Sequence, residues 1–247
     1  MQRMKFTLQY DGTAYAGYQV QPNGNTIQAE LEKALAKIHK GETVKVTASG
    51  RTDAGVHAMG QVIHFDTPLS IPDENWKRAV NSLLPDDIMI THSEAVPEDF
   101  HARYGTVGKE YRYYVWNDRD RQLFKRHHTY HVKAELDMAA MKEACRLLEG
   151  EHDFTSFCSP KTDIKGDKVR TIYEASIRKE GAEIVFLFRG SGFLYNMVRI
   201  LVGTLLEVGR HEREPASIPR ILAAMDRAAA GKTAPPQGLF LWEVFYQ

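Results

Sequence analysis

The chain has 247 residues, of which 43% are hydrophobic and 26% are charged. This composition excludes a disordered or fibrous protein, and the length allows one large domain or two small ones. The 32 basic and 32 acidic residues cancel, so total charge gives no support to nucleic-acid binding, and any such surface must come from local segregation of charge.

The compartment is indicated by cysteines and by the absence of targeting signals. Cys145 and Cys158 form no CxxC pair and suggest no disulfide framework, which fits a reducing cytosol. The N-terminal residues contain no apolar core of signal-peptide length. The most apolar run, 193–208, is interrupted by polar and charged residues. We therefore expect a cytoplasmic protein without membrane contact.

The first hundred residues predict the order β-α-β-β-α-β, which is the ferredoxin-like order. Alternating apolar residues predict the strands, and apolar residues at helical spacing predict the helices. Asn25 and Gln28 resemble a capping box at the start of the first helix. The predicted strands are 4–10, 44–46, 61–65 and 88–96, and the predicted helices are 27–38 and 73–84.

The second half has a related rhythm. Its predicted strands are 109–116, a short one near Tyr130, a hairpin of 170–179 with 183–189, and a closing strand 239–246. Its predicted helices are 138–148, 193–208 and 218–229, and the most polar loop is 158–169. We expect an α+β fold with halves at 1–104 and 105–247. These halves would share one mixed, mainly antiparallel sheet with helices packed on it and a central active-site cleft.

The segment 49–57, SGRTDAGVH, is the most unusual in the chain. It lies between two predicted strands and places Arg51 two residues before Asp53. Catalytic groups often sit on loops that strands hold in place. Asp-Ala-Gly is also an ordinary turn sequence, so both interpretations stay open on the residues alone.

Three further features could carry function. Tyr111 and Tyr113 share one face of a predicted strand, where an aromatic ring either stacks on an exposed base or packs in the core. Arg199 interrupts an apolar helix, and it either has a buried partner or extends to solvent. The basic stretch 119–128 either contacts phosphates or is a solvated loop.

Other chemistries have little support. The ten histidines lack zinc-site spacing, and the chain has no Walker A, GxGxxG or Gly-x-Ser-x-Gly sequence. A further alternative is a metal hydrolase that uses Asp53, His57 and His64. His64 alternates with Ile63 and Phe65, so it faces away from their side of the strand, and the ligand spacing is unlike that of common sites. The residues alone therefore do not identify a reaction.

A resemblance to a known family does indicate a reaction. Segment 49–58 resembles the catalytic motif of the tRNA pseudouridine synthase A family, and further motifs follow in the family's order over nearly the whole chain. These are 10–19 (YDGTAYAGYQ), 100–103 (FHAR), 109–113 (KEYRY), 152–157 (HDFTSF), 193–203 and 238–241 (GLFL). Tyr18 is a departure, since family members usually have tryptophan there.

The resemblance implies a role for each candidate. Asp53 is the catalytic carboxylate, acting as nucleophile at C1′ or as base at C2′. Arg199 pairs with it, and Tyr111 packs against the target base and helps to remove the C5 proton. Arg51 occupies the space left by the flipped nucleotide. Leu239 is an apolar wall of the pocket.

It also implies the fold and the partners. The fold is the pseudouridine synthase fold, with two RRM-like halves, and the enzyme is a homodimer with tRNA lying across both subunits. The substrates are uridines at positions 38–40 of the anticodon stem-loop, in tRNA numbering, and no metal or cofactor is used. The alternative is a non-catalytic tRNA-binding module or tRNA-folding chaperone of the same fold. A pure binder has no need of an aspartate near phosphates.

Overall fold

The computed structural model describes residues 1–22, 24–160 and 166–247. Its internal contacts divide the chain into two compact units. Unit 1 comprises Met1–Val107 with Phe240–Gln247, and unit 2 comprises Gly108–Leu239. The halves 1–104 and 105–247 stay a prediction about domains. The closing segment groups with unit 1 because its strand pairs with a strand of that unit.

The elements alternate between strands and helices in the predicted α+β manner. In chain order they are β1 (Gln2–Tyr10), α1 (Ile27–Ile38), β2 (Thr47–Ala48), β3 (His57–Thr67), α2 (Asp73–Asn81), β4 (Ile88–Val96), β5 (Thr106–Trp116), β6 (Tyr130–His131), α3 (Met138–Arg146), β7 (Gly150–Asp153), β8 (Val169–Glu180), β9 (Glu183–Gly190), α4 (Met197–Gly209), α5 (Ser217–Ala224) and β10 (Leu239–Tyr246). The order predicted for the first hundred residues is confirmed.

Unit 1 is built on a mixed, mainly antiparallel sheet. β1 pairs antiparallel with both β3 and β4, and β2 pairs antiparallel with β3. β10 pairs with β3 in parallel. The side chains that β1 turns inward are fully buried, and Phe6 meets Phe65 and Trp76 edge to face. Trp76 lies on α2, so this aromatic cluster fastens the helix to the sheet.

Unit 2 carries a second set of antiparallel strands. β5 pairs with β9, β9 with β8, and β8 with β7, while the short β6 pairs with β5 in parallel. The β8–β9 hairpin is confirmed, and α4 is almost completely buried. The predicted α+β class, with mainly antiparallel strands and packed helices, is therefore confirmed.

The start of α1 differs from the prediction. Its cap is Thr26, whose hydroxyl accepts a hydrogen bond from Ala29 N at 3.3 Å. The capping box of Asn25 and Gln28 is wrong, because the Gln28 amide donates instead to Glu32, 2.9 Å away. Thr26 is fully buried, and threonine is one of the residues preferred at an N-cap.

Several boundaries also differ. The second strand lies at 47–48 instead of 44–46, although Val44 and Val46 are buried. α2 and α3 end earlier than predicted, and β7 was not predicted. α4 begins at Met197 because Asn196 adopts φ 61°, and α5 ends at Ala224 because the following Met225 adopts φ 48°. Of the polar loop 158–169, residues 161–165 lie outside the described residues.

No helix among the described residues has the length and apolar character needed to cross a membrane.

His64 fastens a loop to β3 in unit 1. Its Nδ1 accepts a hydrogen bond from Ala102 N at 3.1 Å, and its ring lies 4.8 Å from that of His101. Burial, together with the nearby His101 and Arg3, lowers the pKa of His64 from 6.5 to about 4. The neutral imidazole is therefore the form that the fold requires.

This predicts a pH dependence of stability. The unfolded chain takes up a proton at His64 below pH 6.5, whereas the folded chain resists it until about pH 4, so the free energy of unfolding should fall as the pH drops through that window. Urea denaturation at several pH values would measure it. His64→Gln, which cannot titrate, should give a flatter profile. Equal slopes for the two proteins would contradict this role.

Candidate active-site loop and its surroundings

The loop that carries Asp53 is held to β3 by the side chain of Gln61. Ser49 Oγ donates to Gln61 Oε1 at 2.7 Å, and Gln61 Nε2 donates to the Gly50 carbonyl at 2.9 Å. Ser49 N also donates to the Val62 carbonyl at 2.8 Å. Gln61 is fully buried, where breaking these bonds would leave polar groups without water. The first half of the loop is therefore fixed against the strand.

Tyr10, at the end of β1, supports the next part of the loop. Its hydroxyl lies 2.8 Å from Thr52 Oγ1 and accepts a longer hydrogen bond, 3.4 Å, from Gln61 Nε2. Burial raises the pKa of Tyr10 to about 12, so the phenol stays protonated and can donate to Thr52. Sequence reasoning did not identify these supporting residues, because the bonds join positions far apart in the chain.

The segment 11–18, part of the N-terminal motif, packs directly on the same loop. A Cβ at Gly12 would lie 2.0 Å from the Val56 carbonyl oxygen. Gly17 adopts φ +105°, and a Cβ there would lie 3.0 Å from the Thr52 carbonyl oxygen. Tyr18 N donates to that carbonyl at 3.0 Å. Only glycine fits at these two contacts, which explains why a loop at 49–57 requires a glycine-rich segment at 11–18.

The loop leaves its two candidate side chains accessible. Arg51 is exposed and Asp53 is half-buried, while Thr52 between them is buried. The turn after Asp53 is closed by Val56 N, which donates to the Asp53 carbonyl at 3.1 Å, and Gly55 adopts φ 75°. The backbone around Asp53 is thus fixed on both sides, and its side chain stays half-buried.

The histidines of β3 have separate surroundings. His57 Nδ1 lies 3.0 Å from Gly12 N and 3.1 Å from Asp11 Oδ1, and its ring stacks on Phe240. His64 is bonded to the loop at Ala102, as described above. Among the described residues, Asp53, His57 and His64 do not converge with metal-ligand spacing, so the hydrolase alternative receives no support from the structure.

Tyr111 lies on β5 in unit 2 and is buried. Its ring meets Phe193 edge to face, with centroids 5.0 Å apart. Tyr113 points to the same face, and its hydroxyl donates to the Pro235 carbonyl at 2.8 Å. On the other face, buried Glu110 is ion-paired with two arginines. The strand is therefore held on both faces, and this limits the movement of the Tyr111 backbone.

Arg199 is half-buried on α4. Its Nε donates to the Ala234 carbonyl at 2.7 Å, and its Nη1 donates to Asn196 Oδ1 at 2.8 Å. Ala234 N in turn donates to the Arg199 carbonyl at 3.0 Å. These bonds hold the guanidinium in one orientation.

Leu239 is buried at the start of β10, directly after a close backbone contact. A Cβ at Gly238 would lie 2.7 Å from the Tyr113 ring. The segment 234–239 is thus joined to Arg199 at one end and to β5 at the other. In unit 2, segment 234–239 links Arg199 to β5, the strand that carries Tyr111, and in unit 1 Arg51 and Asp53 lie on one loop.

The basic stretch 119–128 forms the connection between β5 and β6. Lys125 is ion-paired with Glu183 and lies 5.0 Å above the Trp116 ring. Arg119 and Arg121 are exposed and make no ion pair with any residue that the structure describes. Contact of the stretch 119–128 with phosphates stays a prediction.

Comparison with known proteins decides the family. A family model described as tRNA pseudouridine synthase matches residues 7–105 and 144–247. The chain belongs to this family. It is 58% identical over 246 residues to a tRNA pseudouridine synthase A of Anoxybacillus flavithermus, covering 100% of this chain and 99% of that protein. These findings confirm the resemblance that the motifs carry.

Further relatives agree. The proteins of the same name from Oceanobacillus iheyensis and Geobacillus kaustophilus are 54% and 55% identical, covering 100% of this chain and 98% and 95% of theirs. Among solved structures, a chain of a Cbf5-Nop10-Gar1 complex aligns with a TM-score of 0.37 and 18% identity over 83% of this chain and 45% of that chain. That likeness is too distant to bear on the activity.

The packing of the 11–18 segment gives a direct prediction. Gly12→Ala places a methyl group where the Val56 carbonyl lies, so the free energy of unfolding should fall by about 1–3 kcal/mol, as for overpacked cores. Gly192→Ala is the matched control, because its Cβ would meet only the Arg170 side chain, at 3.7 Å. Urea denaturation compares the two. Equal midpoints would show that the contact is not needed.

Proposed function

We propose that the chain converts uridine to pseudouridine in the anticodon stem-loop of tRNA, at positions 38–40 in tRNA numbering, with Asp53 as the catalytic carboxylate. Family membership supports the reaction. The observation that carries the assignment to Asp53 is its loop, which buried hydrogen bonds fix while the carboxylate stays half-exposed. Such a preorganised side chain is what a reaction at a fixed sugar carbon requires.

The reaction redistributes bonds within one nucleotide. The N1–C1′ bond breaks, the uracil turns, a C5–C1′ bond forms, and the C5 proton leaves while N1 takes up a proton. No oxidant or reductant is needed, so we propose that neither a metal nor a cofactor takes part. Asp53 acts either by attacking C1′ or by taking a proton from C2′. Both routes require its ionised form, and we propose that Arg199, oriented by its bonds to Ala234 and Asn196, favours that form.

The remaining candidates act on the base. We propose that the Tyr111 ring packs against the uracil and that its hydroxyl helps to remove the C5 proton. Arg51 is exposed and long enough to fill the space that a flipped nucleotide leaves in the RNA stack. Buried Leu239 supplies an apolar wall for the pocket. These assignments follow the family motifs at the same positions.

The proposal includes assembly and location. We propose a homodimer with tRNA lying across both subunits, and a cytoplasmic enzyme, because tRNA is the substrate. The alternative from another class is a module that binds or folds tRNA without chemistry. Isotope release from the target base distinguishes the two, because only catalysis removes the C5 hydrogen.

Replacement of Asp53 tests the catalytic assignment. Wild-type protein without added metal or cofactor should release tritium from tRNA labelled at uracil C5, and Asp53→Asn should release none while still binding tRNA, because the amide is neither an effective nucleophile nor a base. Asp86→Asn, at an exposed aspartate of the same unit, is the control and should keep full activity.

Each other result is informative. No release by the wild type with intact binding would favour the binding module. Equal release by wild type and Asp53→Asn would keep the enzyme but remove Asp53 from its centre.

Replacement of Tyr111 tests its part in the proton transfer. Tyr111→Phe keeps the ring beside Phe193 but removes the hydroxyl, so tRNA binding should persist. Tritium release in a single turnover should slow by roughly 100-fold or more, the usual contribution of a general base. An unchanged release rate would mean that another group takes the C5 proton.

A further inference from the structure

The loop 100–105 of unit 1 presents an aromatic ring to solvent. Tyr104 is 78% exposed, although it is flanked by ordered contacts. Its ring lies on that of His101, with centroids 4.4 Å apart and planes tilted by 31°. The Arg103 guanidinium carbon lies 5.8 Å from the centre of the same ring. An aromatic ring and a cation thus form one surface feature.

The loop is built to hold this feature in place. His101 Nδ1 accepts hydrogen bonds from both Arg103 N and Tyr104 N, each at 3.1 Å. Gly105 N donates to the His101 carbonyl at 2.9 Å, and a Cβ at Gly105 would approach that carbonyl to 3.0 Å. Ala102 is bonded through its N to His64 and through its carbonyl to the Tyr246 hydroxyl. These hydrogen bonds therefore fix the backbone that carries the exposed ring.

The charges beside the ring suit a polyanion. Arg103 makes no ion pair with any described residue, so its charge is available to a ligand. Two exposed acidic residues, Glu98 and Asp99, precede the loop, and they contribute, after Asp66, to the raised pKa of Arg3. A single ring flanked by an arginine and a glycine is also too small an apolar surface for the core of a protein–protein interface.

The position of the feature fits a long substrate. His57 begins β3 directly after the Asp53 loop, and His64, which holds the 100–105 loop, lies seven residues further along the strand. At the rise of an extended strand this separation is roughly 23 Å. RNA that occupies the Asp53 loop can therefore reach Tyr104 only through nucleotides other than the one that reacts.

We propose that Tyr104 and Arg103 form a second RNA contact, a platform on which an unpaired nucleotide of the substrate stacks while its phosphate meets the guanidinium. The proposal rests on the proposed function in that the ligand is the same tRNA. Aromatic rings and guanidinium planes are the groups with which proteins hold unstacked bases. The platform contributes affinity and takes no part in the chemistry.

The test compares Tyr104→Ala, Tyr104→Phe and wild type for tRNA affinity and for single-turnover tritium release at saturating tRNA. Tyr104→Ala should weaken tRNA binding roughly 5- to 150-fold, as the loss of one stacked base does. Tyr104→Phe keeps an aromatic ring and should bind tRNA with wild-type affinity. Release at saturation should be the same for all three. Tyr173→Ala, at a half-exposed tyrosine of unit 2, is the control and should keep wild-type affinity.

Arg103→Ala tests the proposed phosphate contact independently. It should weaken binding and lower the slope of log affinity against log salt by about 0.7, the value for one single-strand phosphate contact. An unchanged slope would remove the phosphate contact from the proposal.

Three results would overturn the platform. The first is wild-type tRNA affinity in Tyr104→Ala, and the second is weakened tRNA affinity in Tyr104→Phe. The third is a change in the sedimentation of Tyr104→Ala, which would make a second copy of the chain the occupant of this surface. The proposed function is judged separately. If the wild type binds tRNA but releases no tritium, that function fails, while the affinity comparison still decides the platform.

Discussion

The buried hydrogen bonds of Gln61 and Tyr10 are the constraint on which the candidate site depends. Gln61 joins β3 to the backbone at Gly50, and Tyr10 joins β1 to Thr52. Both side chains are excluded from water, so the bonds are costly to break and give the loop one favoured arrangement. The position of Asp53 follows from this arrangement, since its own backbone closes the next turn.

The sequence predicted the elements better than it predicted the contacts. Alternating apolar residues located β1 and β4, and the apolar spacing located α1, because burial imposes these periods directly. The cap of α1 was misplaced by one residue, from Asn25 to Thr26, since both side chains can cap and only packing selects between them. The short β7 lacks an apolar alternation and was not predicted.

In the candidate site, too, the sequence identified residues but not the contacts between them. The motif at 49–57 identified Asp53, but nothing local in the sequence linked this loop to Gly12, because the two segments meet only in the folded chain. The residues alone left Arg199 open between a buried partner and solvent. The structure shows its bonds to the Ala234 carbonyl and to the Asn196 side chain. The catalytic roles come from the family resemblance and remain proposals.

The most direct test of the account is hydrogen–deuterium exchange of the amides in segment 50–56, measured in wild type and in the double variant Tyr10→Phe, Thr52→Val, together with the rate of tritium release at saturating tRNA. The account predicts slow exchange in the wild type. It predicts faster exchange and slower release in the variant, with tRNA affinity retained, because the loop loses its support while Asp53 remains. Unchanged exchange with full activity in the variant would contradict the claim that this buried network positions the catalytic carboxylate.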